Sequence, residues 1–259
     1  IAKKSVPWEI IQDLNVESFL EPIPKKKITQ KVCEKLGNVL GNNEYKITNL
    51  NMTWNKIGLK GIQALQTGLI VTKNLKSLEF YSNFIINEGA TIFGDIIANN
   101  TSIENLNITD CKMIDKDGLE ILKGLRRNRT LKCIWMEENK FGDKFAKEFW
   151  YFLKNNNTLE EVSVAQTSMS YFDCDVLTKN TTLKVLDLSS NSFGRLGIEL
   201  AIGIMNNNTL EKLNLNWCSL RDKDLEELLF SMIKEGSDEY VLTIQKEKPL
   251  NVHLFGSFM

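Results

Sequence analysis

Residues 75–83, LKSLEFYSN, and residues 183–191, LKVLDLSSN, share a pattern with apolar residues at the first, fourth and sixth positions and asparagine at the ninth. Five further segments follow this pattern closely, and the seven starts are separated by 28, 28, 28, 28, 24 and 27 residues. The other segments are ITNLNMTWN from Ile47, IENLNITDC from Ile103, LKCIWMEEN from Leu131, LEEVSVAQT from Leu159 and LEKLNLNWC from Leu210. So regular a period indicates a solenoid of stacked structural units.

The spacing inside each motif predicts a short strand followed by a bend. The two inner apolar residues lie two positions apart, as Leu78 and Phe80 do, so they point to the same face of a strand. The residue that ends the motif can bond to backbone groups across the bend. This position is held by Asn55, Asn83, Asn139 and Asn191, with Cys111 and Cys218 as substitutes. We therefore predict a structural role for these two cysteines.

Between the motifs, apolar residues recur with helical spacing, as in residues 89–98, GATIFGDIIA, and residues 197–202, GIELAI. One unit is thus predicted to contain a strand, a loop, a helix and an asparagine-rich turn. Since no single unit can bury its own apolar face, neighbouring units must stack. Crowding or a tight turn would favour the glycines that follow the motifs, which are Gly61, Gly89 and Gly197.

The unit as a whole, LxxLxLxxN followed by a helix and an NxTL turn, resembles the ribonuclease-inhibitor-like leucine-rich repeat. The same class includes tropomodulin, Ran GTPase-activating protein and NOD-like receptors. The resemblance covers roughly residues 28–235. It implies an α/β fold, a right-handed leucine-rich-repeat solenoid (horseshoe) of about seven repeats, with parallel concave strands and convex helices. Because this family is a scaffold for many binding roles, the resemblance does not itself define a function.

The ends of the chain predict caps on the solenoid. Residues 1–46 would form an N-terminal cap with a half-repeat helix, residues 47–237 the solenoid, and residues 238–259 a C-terminal cap. Within the last segment, VLTI at 241–244 predicts a final edge strand. The fifth repeat is four residues short, so we expect a local break in curvature near residues 168–180. This break could be drift in a tolerant repeat or a notch for a partner.

The first residues of the chain are predicted to cover the open edge of the sheet at the first repeat. The chain opens with Ile1 instead of Met, so it looks like a trimmed start. It lacks the continuous apolar run of a signal peptide, so secretion is unsupported. Pro22 and Pro24 cannot donate to a ladder and would close the sheet edge. The residues expected to cover the open end of the first repeat are Trp8, Ile10, Ile11, Leu14, Phe19 and Leu20.

Composition argues against several classes of protein. A net charge of -1 with 25% charged residues does not indicate a nucleic-acid or membrane-surface binder. No apolar run approaches the roughly 18–20 residues of a membrane span. The five cysteines lack a CxxC pair and His253 is the only histidine, so we expect no zinc site, no disulfide framework and no cofactor. A reducing compartment fits this cysteine usage.

Strand positions that should face the concave surface carry carboxylates and aromatic rings but neither lysine nor arginine. Exposed aromatic residues bordered by charge are typical of binding hot spots. We therefore expect a protein or peptide partner with a basic surface. The candidate residues are Trp54, Glu79, Tyr81, Asp110, Trp135, Glu137, Glu138, Asp187 and Trp217. Alternatively, Trp54 and Trp217 fold back over the loops as packing.

A second candidate is a basic run between the third complete helix and the fourth motif. Cations near the C-terminus of a helix complement its dipole and are usually solvated. A contact with phosphate, with an acidic partner or with a tubulin-like surface is the alternative. The run consists of Lys123, Arg126, Arg127, Arg129 and Lys132.

No catalytic motif is recognisable, since GxGxxG, GxxxxGK(S/T), GxSxG and HExxH are all missing from the sequence. We therefore expect no enzyme. We expect instead a protein-protein interaction scaffold, a subunit of a hetero-complex that is cytoplasmic and could belong to a cytoskeletal or axonemal assembly. Two alternatives stay open, a GTPase regulator of the Ran GTPase-activator type and the sensor repeat domain of a larger receptor.

Overall fold

A computed structural model describes residues 28–43, 45–220, 241–244 and 250–253 of the 259-residue chain. These residues fall into two units. The N-terminal unit holds the described residues up to Met113 together with Glu120–Leu131. The C-terminal unit holds Ile114–Leu119 and the described residues from Lys132 onward.

The N-terminal unit alternates helices and strands, as the repeat pattern predicts. Its three strands are parallel, and Leu50 pairs with Leu78, which in turn pairs with Leu106. Helix α4 begins in the C-terminal unit and ends in this one. The elements are α1 (Gln30–Gly41), β1 (Asn49–Asn51), α2 (Leu59–Val71), β2 (Ser77–Glu79), α3 (Glu88–Asn99), β3 (Asn105–Asn107) and α4 (Asp115–Arg127).

The C-terminal unit continues the alternation and ends in a hairpin-like pair of strands. Strands β4 to β7 are parallel in chain order. The elements are β4 (Cys133–Trp135), α5 (Asp143–Asn155), β5 (Glu161–Ser163), α6 (Asp175–Lys179), β6 (Val185–Asp187), α7 (Gly197–Asn206), β7 (Lys212–Asn214), β8 (Val241–Ile244) and β9 (Leu250–His253). The predicted edge strand at 241–244 is present as β8, but β9, which was not predicted, lies between it and β7.

The core forms where the motif places its inner apolar residues. In β2 the central Leu78 is fully buried while its neighbours on either side are half-buried. Phe80, two residues on, is also fully buried. Burying one such side chain stabilises the fold by about 1.5–3 kcal/mol, and the repeat multiplies that contribution along the sheet. The predicted period of two is therefore confirmed.

The residue that ends each motif bonds to the backbone, as predicted. Asn83 donates through Nδ2 to the carbonyl oxygens of Met52 and Phe80 at 2.9 and 2.8 Å, and its Oδ1 accepts from the Ile57 amide at 2.8 Å. Cys111 Sγ replaces one of these bonds by donating to the Phe80 carbonyl at 3.3 Å. In the fifth repeat Thr167, which was not predicted, ends the motif, and its Oγ1 donates to the Val164 carbonyl at 2.7 Å.

A second series of asparagines joins the helix ends to the preceding repeat. Asn128 donates through Nδ2 to the Ile97 carbonyl at 2.8 Å, and its Oδ1 accepts from the amides of Thr130 and Leu131 at 2.8 Å each. The same bonds are repeated at Asn100 and Asn207. The asparagine-rich turns therefore tie each helix end to the start of the next strand.

Close helix contacts explain several glycines. A Cβ built on Gly68 would lie 2.0 Å from the Gly37 carbonyl oxygen, which joins α1 and α2 backbone to backbone. At Gly61, one of the predicted crowded positions, a Cβ would lie 2.5 Å from Cγ2 of Ile57. At Gly89 the nearest atom would be 3.3 Å away, on Ile62, so this position is tight as well.

The fifth repeat is short because its helix is short. Helix α6 has 5 residues, yet β5 and β6 pair in register without interruption. Aromatic side chains fill the space beside it. Phe172 packs edge-on against Trp150 at 5.0 Å between ring centroids, and Trp150 Nε1 donates to the Tyr171 carbonyl at 2.8 Å.

Several predictions fall on residues that the structure does not describe. They include the edge cover by residues 1–27 and the solenoid boundary at residue 237. The division into caps and solenoid remains a prediction. In the described part of the chain, no helix has both the length and the apolar character to cross a membrane.

Candidate functional site

In each unit the strands present a face on which the side chains are partly exposed, except for the buried Ser163. On each strand the residues on either side of the buried central one lie on this face, which we call the strand face. Register places Trp135, Ser163, Asp187 and Asn214 side by side on β4 to β7. In the N-terminal unit, Asn51, Glu79 and Asn107 hold the same position on β1 to β3.

Several candidate residues lie beyond the strands, in a recurring turn. Trp54, Asp110, Glu138 and Trp217 all have a positive φ, between 50° and 62°. The amide of Trp54 still donates to the Tyr81 carbonyl in the next repeat, at 3.0 Å. These four side chains therefore border the strand face instead of standing on it.

Trp54 and Tyr81 form an aromatic pair at the edge of the N-terminal unit. Their ring centroids are 5.1 Å apart and their planes are nearly perpendicular, at 85°. Trp54 nevertheless remains 64% exposed. Packing against Tyr81 thus uses part of the tryptophan surface and leaves most of it accessible. Trp217, in the C-terminal unit, is 56% exposed.

Asp110 is already engaged within the chain. Its carboxylate accepts a hydrogen bond from the Ser82 hydroxyl at 2.9 Å and forms an ion pair with Lys112. Lys112 follows the motif by one residue and therefore was not among the strand positions read from the sequence. The negative charge at Asp110 is accordingly compensated locally, unlike that of the carboxylates in the C-terminal unit described next.

Carboxylates gather on the strand face around Trp135. The indole Nε1 of Trp135 donates to Glu161 Oε1 at 2.9 Å. Glu161 was not among the predicted site residues, which all follow the central apolar residue of their motif, whereas Glu161 precedes it. A strand period of two puts Glu161 and Ser163 on the same face, so this signal was available.

Glu137 lies among other carboxylates. Burial raises the pKa of its carboxyl group above the ordinary value, and the nearby Ser163 hydroxyl lowers it. The carboxylates of Asp187, Glu138 and Glu161 raise the pKa further. Ionised Glu137 is therefore held in a partly desolvated and negatively charged setting.

Asp187 is held in place by its own backbone turn. Its Oδ1 accepts from the Ser189 amide at 2.9 Å and the Ser189 hydroxyl at 2.7 Å, and Oδ2 accepts from Asn214 Nδ2 at 2.8 Å. Asn51 and Asn107 accept from the amide two residues on in the same way. This turn therefore requires a side-chain oxygen, but not a charge.

The basic run is largely used in local structure. Lys123 pairs with Glu120 at 2.6 Å, and Arg127 Nη2 donates to Asn99 Oδ1 at 3.5 Å. Arg129 Nη1 donates to the carbonyl oxygens of Arg126 and Asn128, at 2.8 and 2.7 Å. These bonds satisfy carbonyls at the end of α4, where cations are favoured.

Lys132, the last member of the run, lies in the C-terminal unit. A hydrogen bond from Lys184 lowers the pKa of Glu160, and the charges of Lys184 and Lys132 lower it further. The geometry favours the dipole interpretation of the basic run over a separate binding site.

Three of the five thiols, those of Cys33, Cys111 and Cys218, are buried. All five cysteines are free, and burial raises the pKa of Cys111 and Cys218 to about 12. Among the described residues, no group of three or more His, Cys, Asp or Glu side chains is arranged to hold a metal ion.

The repeat defines the class of protein. A family model described as Leucine Rich repeat matches residues 46–65, 99–122, 179–200 and 206–229. Together with the ladder of parallel strands, these matches show that the fold is an α/β leucine-rich-repeat solenoid. The chain contains leucine-rich repeats and is similar to the ribonuclease inhibitor.

Individual relatives are distant. The chain is 24% identical over 257 residues to the ribonuclease inhibitor of Mus musculus, with 86% of this chain and 54% of the relative covered. It is 25% identical over 175 residues to Protein CARMIL of Dictyostelium discoideum, with 64% of this chain and 16% of the relative covered. A solved tropomodulin C-terminal domain of Caenorhabditis elegans shares 11% identity and a TM-score of 0.42, with 68% of this chain and 92% of that chain covered. The chain thus spans about half the length of the ribonuclease inhibitor that it matches.

Proposed function

We propose that this chain is a protein-protein interaction scaffold that binds a partner with a basic surface through its strand face. The proposed contacts are those carboxylates and aromatic rings that the strands and their turns expose. The partner-binding residues are Trp54, Glu79, Tyr81, Asp110, Trp135, Glu137, Glu138, Asp187 and Trp217, to which we add Glu161. The ribonuclease inhibitor, to which the chain is similar, is by its name a protein that acts on another protein, which supports binding as the general role.

The observation that carries this proposal is the group of carboxylates that surrounds the partly buried Glu137. The charges that raise the pKa of its carboxyl group all belong to carboxylates, those of Asp187, Glu138 and Glu161. Mutual repulsion of partly buried charges costs stability, and a cationic partner would relieve it. Complementary charge would also accelerate association and make it sensitive to salt.

The proposed setting is a cytoplasmic hetero-complex, with binding and not catalysis as the activity. Five free cysteines fit a reducing compartment. The raised pKa of Cys111, Cys174 and Cys218, each about 12, disfavours a thiolate nucleophile at these positions. A cytoskeletal or axonemal assembly stays a prediction from the resemblance.

The test is affinity purification from native extract, followed by titration of the purified partner. The strand-face variant combines Trp135→Ala, Glu137→Lys and Asp187→Asn. The last change keeps the turn, since Asn51 and Asn107 make the same bond. The matched control combines Tyr151→Ala, Glu148→Lys and Glu199→Gln, which remove an exposed ring and exposed carboxylates on α5 and α7.

The proposal requires one stoichiometric partner that is lost from the strand-face variant, is retained by the control, and binds more weakly as salt rises. Circular dichroism must show the same fold in all three proteins. A partner that binds the strand-face variant as tightly as the wild-type chain would refute the proposal.

A further inference from the structure

Three neighbouring strands bring one aromatic ring and a group of carboxylates together in the C-terminal unit. Trp135, Ser163 and Asp187 are adjacent in register on β4, β5 and β6. Strands in a sheet are about 4.8 Å apart, so this row spans only about 10 Å. Glu161 lies two residues before Ser163, and its bond with Trp135 Nε1 fixes the orientation of the indole. We call Trp135, Glu137, Glu161, Ser163 and Asp187 the β4–β6 cluster.

Ser163 provides an observation independent of the charges. It is 3% exposed, and among the described residues its hydroxyl oxygen is the one buried side-chain oxygen or nitrogen without a hydrogen-bond partner. A buried polar group without a partner costs about 1–3 kcal/mol. The hydroxyl lies close enough to Glu137 to lower the pKa of that carboxyl group, yet it forms no hydrogen bond of ordinary geometry with it. The cluster is therefore incomplete in both charge and hydrogen bonding.

We propose that the β4–β6 cluster is a binding site for one arginine side chain of the partner, with the guanidinium held between Glu137 and Asp187 and against the Trp135 ring. This proposal rests on the proposed function, because it names the group through which the basic partner is anchored. A guanidinium that fixed the Glu137 carboxylate in one position would also give the Ser163 hydroxyl a stable acceptor.

Arginine fits the cluster better than the other cations. Its planar guanidinium has five donors that can bond to several carboxylates at once, and it stacks on aromatic faces. Lysine has a compact charge that gains less from a ring and a row of carboxylates. A metal ion is disfavoured by the ligand arrangement, as no group of His, Cys, Asp or Glu in the described residues could hold one.

The experiment uses a fluorescent peptide of alternating arginine and glycine as the probe and measures its anisotropy with the full chain. A peptide with citrulline in place of arginine keeps the shape but removes the charge, and a lysine peptide keeps the charge but changes the shape. We expect the arginine peptide to bind about tenfold more tightly than the citrulline peptide, as for one charge-assisted hydrogen-bonded group. The lysine peptide should bind with intermediate affinity.

Variants locate the site. Glu137→Gln/Asp187→Asn should lose most of the preference for arginine over citrulline, and Trp135→Leu should lose the preference for arginine over lysine. The control Glu148→Gln/Glu199→Gln removes the same charge from exposed positions on α5 and α7 and should bind like the wild-type chain. Equal affinities of the wild-type chain for the arginine and citrulline peptides would overturn the proposal. A control variant that lost as much of the preference for arginine as Glu137→Gln/Asp187→Asn would also overturn it.

Failure here can be separated from failure of the proposed function. If the partner is lost from the strand-face variant but no arginine preference depends on the β4–β6 cluster, only the arginine site is wrong. If the arginine preference is present but the natural partner binds all variants equally, the cluster is an arginine site and the wider scaffold proposal is refuted.

Discussion

Gly37 and Gly68 bring helices α1 and α2 into direct backbone contact, for a Cβ on Gly68 would lie 2.0 Å from the Gly37 carbonyl oxygen. Alanine is the better helix former by about 1 kcal/mol, so helix propensity alone would favour Gly68→Ala. The contact reverses this expectation, because the helices would have to separate. Overpacking of this kind costs about 1–3 kcal/mol. We predict that Gly68→Ala lowers the midpoint of urea unfolding.

The control is Gly41→Ala, near the end of α1, where the nearest atom to an added Cβ is 3.6 Å away, on Val71. That substitution should leave the unfolding midpoint unchanged or raise it slightly. Equal midpoints for the two variants would show that the close approach of α1 and α2 does not limit stability.

The asparagines at helix ends should matter far more than their exposed neighbours. Asn128→Ala would leave the amides of Thr130 and Leu131 without their side-chain acceptor. An unsatisfied buried donor costs about 1–3 kcal/mol, so we predict a clearly lowered free energy of unfolding, measured by urea titration. Asn99→Ala, which removes an exposed asparagine that bonds to Asp95 in its own helix, should change that energy little. Equal losses would argue against a structural role for the buried series.

Thiol reactivity should follow burial. Cys33, Cys111 and Cys218 are buried, and burial raises the pKa of Cys33 to about 11 and that of the other two to about 12. We predict that a disulfide reagent first modifies Cys133, which is partly exposed on β4, and modifies these three only after denaturation. Cys174 is also partly exposed, but burial raises its pKa to about 12, so it should react more slowly than Cys133. Cys133→Ser should remove the fast phase, and a fast phase that persists in this variant would contradict the prediction.

Glu137 should make stability depend on pH in a definite direction. Its folded-state pKa is raised above the ordinary value of 4.5, primarily by burial. As pH rises from 4.5 towards the raised pKa, the unfolded chain releases its proton first, so the free energy of unfolding falls. Above the raised pKa Glu137 is ionised in the folded chain, and the cost of burying its charge lowers the free energy of unfolding by its full amount.

Glu137→Gln removes the penalty. It should raise the unfolding midpoint at neutral pH, and the gain should disappear below pH 4.5. Unfolding would be followed by circular dichroism across this range, with Glu148→Gln as the exposed control. A gain independent of pH would show that desolvation of the charge is not its cause.

The repeat pattern alone was sufficient for the repeating part of the fold, whereas β9 was not predicted. Each strand from β1 to β7 begins two residues after the start of its motif, as at Asn49 and Ser77, and the residues at the ends of the motifs bond as predicted. Each unit repeats the same local geometry, so a sequence period translates directly into a ladder of strands. The partial exposure of Trp135 and Glu137 also followed from strand periodicity.

Which charged and polar groups meet at the candidate site, by contrast, was decided by the tertiary structure. Only the fold brings Glu161 to Trp135, 26 residues away, or sets Ser163 against Glu137 without a bonding partner. The compensation of Asp110 by Lys112 depends on a turn with positive φ at both residues. Backbone register follows from the apolar period of a single repeat. Charge balance depends on side-chain contacts within turns and between repeats, which the apolar period does not encode.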